Sequence, residues 1–97
     1  MMTPEQKSAA DQMVEENIKT KIKAILEFLI KSLVDKPDEV SITVTQGDQT
    51  HVFEIRVAKG ETGKVVGKQG KMAESLRTIL KSLSAKNKLR AVLEICD

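Results

Sequence analysis

Residues 61–83, ETGKVVGKQGKMAESLRTILKSL, decide the reading of this chain. Three Gly-Lys pairs, Gly63-Lys64, Gly67-Lys68 and Gly70-Lys71, crowd the first half. From Lys71 the pattern turns helical. Met72, Ala73, Leu76, Ile79, Leu80 and Leu83 recur in steps of three and four and predict the buried stripe of an amphipathic helix. Glycines let a main chain approach a ligand closely. The start of a helix offers unpaired N–H groups and the positive end of its dipole. With lysines beside them, these features predict a site for an anion.

The anion is not the phosphate tail of a hydrolysed nucleotide. A nucleotide-binding P-loop needs a glycine five residues before its Gly-Lys and a serine or threonine after it. Ala58, Thr62 and Val65 occupy the first position for the three pairs, and Val65, Gln69 and Met72 the second. A dinucleotide-binding G-x-G-x-x-G is also absent, because three residues separate Gly63 from Gly67 where that motif has one.

Working outward, Thr62–Val66 reads as a short helix that ends at Gly67. Before it, Val40, Ile42 and Val44 alternate with Ser41, Thr43 and Thr45, and His51–Val57 places Phe53, Ile55 and Val57 on one face. With turn residues at 46–49 these predict an antiparallel hairpin. Leu89, Ala91, Leu93 and Ile95 predict a third strand. Towards the N-terminus, Ile18, Ile22, Ile25, Leu26, Leu29, Ile30 and Leu33 predict a helix over Ile18–Val34, closed by Pro37. Thr3-Pro4-Glu5-Gln6 has the spacing of a helix start. Residues 1–17 are therefore expected to be an acidic, weakly amphipathic extension, and 18–97 the domain. The order helix, strand, strand, short helix, glycine loop, helix, strand predicts a two-layer α+β domain. A three-stranded mixed sheet would carry the helices on one face.

Composition bounds the function. Ninety-seven residues make one small domain. Its net charge of +2 hides an uneven distribution. Residues 1–58 hold seven bases and ten carboxylates, residues 59–90 nine bases and two carboxylates. A basic block of this kind fits a polyanionic partner. One cysteine, Cys96, cannot form an internal disulfide, and with the lone His51 it falls short of a zinc site. His51 is expected to be a solvated strand end, Cys96 a small terminal hydrophobe, and Asp11, Glu15 and Glu16 a solvated helix face. No catalytic residue, metal or cofactor is predicted. The N-terminal stretch lacks the apolar run of a signal peptide, and no segment has the apolar length of a membrane span. A cytoplasmic location is expected.

Gly67-Lys68-Gln69-Gly70 is a G-x-x-G tetrapeptide between two helices, with Val65-Val66 before it and a basic residue after it. Such a loop clamps about four nucleotides of backbone in KH domains. Over residues 18–95 the predicted order of elements is that of the type II KH fold, α-β-β-α-α-β. The chain resembles the small stand-alone bacterial KH proteins of the KhpA type, to which GKVVGKQGK and the closing LRAVLEI are similar. The resemblance implies single-stranded RNA binding and a role as a post-transcriptional regulator or RNA chaperone. It implies Lys64, Val65, Val66, Gly67, Lys68, Gln69, Gly70, Lys71, Met72 and Arg77 as the RNA site. Lys64, Lys68 and Lys71 would meet phosphates, while Val65, Val66 and Met72 would be part core and part wall of an apolar groove. Lys81, Lys86, Lys88 and Arg90 would supply field rather than contacts. It also implies self-pairing, or pairing with a larger multidomain KH-containing RNA-binding protein. The alternative is a protein-interaction module that uses the fold mainly as a dimerisation surface. Phe28 and Phe53 are the only aromatics, and both are expected in the core.

Overall fold

The computed structural model describes residues 9–96. The expected helix start at Thr3-Pro4 lies outside them. Helix α1 spans Ala9–Lys31 without a break at residue 18. Ile22, Leu26 and Ile30 recur every fourth residue, and all three are buried. Strand β1 (Ser41–Gln46) pairs antiparallel with β2 (His51–Arg56), Ser41 lying opposite Arg56 and Gln46 opposite His51. The Gly47 N–H donates to the Thr50 carbonyl at 2.8 Å and closes the hairpin.

Strand β3 (Ala91–Cys96) runs parallel to β2 on its other side. Parallel neighbours need a crossover, often helical. Helix α2 (Thr62–Val66), a tight turn at Lys68–Gly70 and helix α3 (Lys71–Lys86) supply it. The expected three-stranded mixed sheet is therefore present in the order β1-β2-β3. Ile42, Phe53, Ile55 and Leu93 from the sheet meet Leu26, Ile30, Val65, Leu76 and Leu80 from the helices in one core. The opposite face carries an Arg56–Glu54 ion pair at 3.6 Å together with Val52 and the exposed Val92, which lie side by side. No helix among the described residues is long and apolar enough to cross a membrane.

Four expectations are corrected. Phe28 is 73% exposed. It lies two residues from both Leu26 and Ile30, about 200° around the helix from each, which turns it outward. Ile25 and Ile79, at the flanks of their stripes, are also exposed. His51 is 4% exposed, because it is the first of three alternating residues, with Phe53 and Ile55, on the helix-covered face of the central strand. Helix α1 ends at Lys31 rather than Val34. The Ser32 hydroxyl donates to the Phe28 carbonyl at 2.7 Å and the Leu33 N–H to Ile30 at 2.9 Å, tightening the last turn. Val34 remains buried beyond the helix.

Candidate nucleic-acid interface

The site begins at a carboxylate. Glu61, just before α2, is 6% exposed. Its Oε1 accepts the Asp35 N–H at 2.7 Å and its Oε2 the Lys36 N–H at 3.2 Å. It thereby ties the segment after α1 to the start of α2. The Lys64 Nζ donates to Asp35 Oδ2 and lies 3.5 Å from Glu61 Oε1. The hydrogen bond to Asp35 holds the Lys64 ammonium above the ordinary lysine value, so it is charged at neutral pH. This pairing contributes stability fully below that ordinary value and loses it only as pH rises through the higher folded one. Lys64, expected to meet a phosphate, is engaged by two carboxylates of its own chain.

Glu61→Gln keeps the shape but puts an NH₂ where one oxygen accepted a backbone N–H. A donor facing a donor leaves one amide of the Asp35-Lys36 segment unsatisfied. The expected loss is about 1–3 kcal/mol of folding stability, read from the urea midpoint. An unchanged midpoint would mean that this tie contributes nothing.

The loop residues differ in exposure. Val65 is 0% exposed, so its side chain belongs to the core and gives no groove surface. Val66 and Met72 are half-buried, while Lys68, Gln69 and Lys71 are exposed. Gly67 ends α2 at φ 80°. A Cβ there would stand 2.6 Å from the Cβ of Met72, so only glycine lets α2 and α3 approach this closely. Gln69 (φ 57°) and Gly70 (φ 74°) both occupy left-handed backbone, which turns the chain sharply before α3. No side chain caps the N-terminus of α3. Lys68, Gln69 and Lys71 thus sit outward around a compact turn that leads into an uncapped helix start.

Arg77 lies about 10 Å farther along α3. It lines a groove of about 570 Å³ between α3 and β3. Leu80 and Lys81 share its wall, and Leu89, Arg90 and Val92 bound it from the side of β3. Lys81 and Arg90, expected to act only at a distance, are therefore groove residues. The four-residue step from Arg77 to Lys81 was the available signal for a shared helix face. The apolar part of the groove comes from β3 and the segment before it, a contribution that local spacing around the glycines does not reveal.

The family model for the KH domain of KhpA/KhpB matches residues 23–95. An Aquifex aeolicus protein named RNA-binding protein KhpA is 47% identical over 76 residues, which cover 78% of this chain and 96% of the relative. The protein of that name from Clostridium acetobutylicum is 45% identical over 74 residues, 76% of this chain and 99% of its own. The one from Borreliella burgdorferi is 42% identical over 73 residues, 75% and 89% of the two chains. With the strand order, the glycine turn and the crossover helices in agreement, this chain belongs to the KhpA/KhpB family of KH domains.

Proposed function

We propose that this protein binds single-stranded RNA, holding about four nucleotides with the Gly67–Gly70 turn and the groove between α3 and β3. The observation that carries this reading is an outward-facing, lysine-flanked turn at the start of α3, with a groove of apolar and basic walls that begins about 10 Å farther along the same helix. A phosphodiester passes the turn, where Lys68 and Lys71 neutralise charge and the positive end of the α3 dipole faces it. Bases then lie along the groove against Leu89 and Ala91, with Arg77 and Lys81 beside them. The family is one of KH domains and not of enzymes, and the relatives' name, RNA-binding protein, agrees with the chemistry. The cellular role that follows is that of a cytoplasmic post-transcriptional regulator or RNA chaperone.

Photo-crosslinking of a short single-stranded RNA, followed by peptide mapping, tests the path. Crosslinks are expected within residues 64–77 and 89–92. Crosslinks confined to the open face of the sheet, around Thr43 and Glu54, would overturn it.

Assembly is the second reading, favoured by the exposed Ile25, Phe28 and Ile79. A four-nucleotide clamp is small, and two clamps on one RNA gain from effective concentration without new contacts. A homodimer, or a heterodimer with a larger KH-containing RNA-binding protein, supplies the second clamp.

A further inference from the structure

Of the three lysines that follow glycines, Lys64 alone is paired, since Lys68 and Lys71 make no ion pair among the described residues. Its two carboxylate partners differ in what else they hold. Glu61 is buried, and its oxygens accept the Asp35 and Lys36 amides. The Asp35 side chain is 78% exposed, and among the described residues its carboxylate pairs with Lys64 alone. A lysine–aspartate pair this exposed contributes little to stability, so folding does not account for the contact. Its location is more telling. Glu61 anchors Asp35 beside α2 through the Asp35 backbone N–H. Lys64 lies in the last turn of α2, about 4.5 Å along the axis from Gly67, where the glycine turn begins. Two carboxylates and one ammonium leave a balance of −1 there, next to a turn whose exposed charges, Lys68 and Lys71, are positive.

We propose that Asp35 holds Lys64 back from RNA and so limits the affinity of the Gly67–Gly70 turn. This rests on the RNA reading above and adds to it a residue that opposes binding. A phosphate and a carboxylate compete for one ammonium, because each offers anionic oxygens to the same three donors. The lysine stem is flexible, so its head turns from Asp35 to a phosphate without any shift of α2. A phosphate that takes Lys64 must first displace Asp35, and the cost of that exchange cancels most of what the contact brings. Lys64 therefore adds little to the wild-type salt dependence. Glu61 is the weaker competitor, because it stands 3.5 Å from the ammonium and its oxygens already serve two amides. Asp35 also repels a passing phosphodiester directly, an effect that does not need Lys64.

Salt titration of a short single-stranded RNA separates the two effects. The proteins compared are the full-length wild type, Asp35→Asn, Asp35→Glu, and Asp35→Asn combined with Lys64→Gln. Asparagine keeps the shape of the side chain and the backbone N–H that Glu61 accepts. Asp35→Asn should bind about fivefold more tightly at about 50 mM salt. Its slope of log affinity against log salt should steepen by about 0.7, the contribution of one more phosphate. Adding Lys64→Gln should remove that extra slope. Asp35→Glu retains a carboxylate and should stay close to the wild type. Circular dichroism confirms that each variant is folded, as expected for changes at exposed side chains. Tighter binding by Asp35→Asn that persists undiminished without Lys64 would overturn the proposal and leave Asp35 as a repelling charge only. Wild-type affinity and slope in Asp35→Asn would overturn it too, while salt-dependent binding by the wild type keeps the RNA reading intact. A wild type that holds no single-stranded RNA would overturn both.

Discussion

Lys68→Asp combined with Gln69→Asp should leave a folded protein that no longer holds single-stranded RNA. Both side chains are exposed in the turn between α2 and α3, so little packing is lost. Gln69 occupies left-handed backbone at φ 57°, a conformation that aspartate also tolerates. The local charge changes by three units where a phosphate comes closest. At about 1 kcal/mol per unit charge near water, the loss is about 3 kcal/mol, on the order of 100-fold in affinity. Fluorescence titration of labelled RNA measures it, with circular dichroism as the control for folding. Lys64→Gln provides the contrast. Because Asp35 and Glu61 already hold that ammonium, its removal should affect thermal stability more than RNA affinity.

Leu76→Ala should cost about 2–5 kcal/mol of folding stability, a large share of the roughly 5–15 kcal/mol of a typical domain. Leu76 is buried at the centre of α3, within the core that also holds Phe53, Val65 and Leu80. Truncation leaves a cavity that the surrounding side chains fill only in part. Urea denaturation measures the effect. A shift below about 0.5 kcal/mol would indicate a surface position and contradict the packing of α3 on the sheet.

The fold was largely legible because its elements follow short periods. Ile22, Leu26 and Ile30 mark one helix, Phe53 and Ile55 the central strand, and Ala73, Leu76 and Leu80 the crossover helix. Gly67 and Gly70 marked the turn because the backbone there requires positive φ. Phe28 was misread for the same reason that the helix was found. An apolar residue within an apolar run looks like part of the stripe, and only its angle from Leu26 and Ile30 separates it. His51 had the opposite problem, since its place beside a turn masked its alternation with Phe53. At the site, the glycine turn and its lysines were local in sequence and visible. Glu61 holding the Asp35 and Lys36 amides joins segments 26 and 25 residues apart, and the groove wall from β3 belongs to a different element from the glycine turn. No local pattern encodes that kind of contact. The true state of Lys64 depends on it.

The central claim is that phosphates are held at the Gly67–Gly70 turn and the first turns of α3. A salt-dependent titration of single-stranded RNA against the wild type and the Lys68→Asp, Gln69→Asp variant tests it most directly. On the proposed RNA path, Lys68, Lys71 and Arg77 would together neutralise about three phosphates, with Arg77 in place of Lys64. The wild-type slope of log affinity against log salt should be roughly −2, so raising salt from about 50 to 200 mM weakens binding roughly 15–20-fold. The variant should bind at least about 100-fold more weakly at low salt. A folded variant with wild-type affinity and the same slope would contradict the claim and move the RNA site away from this turn.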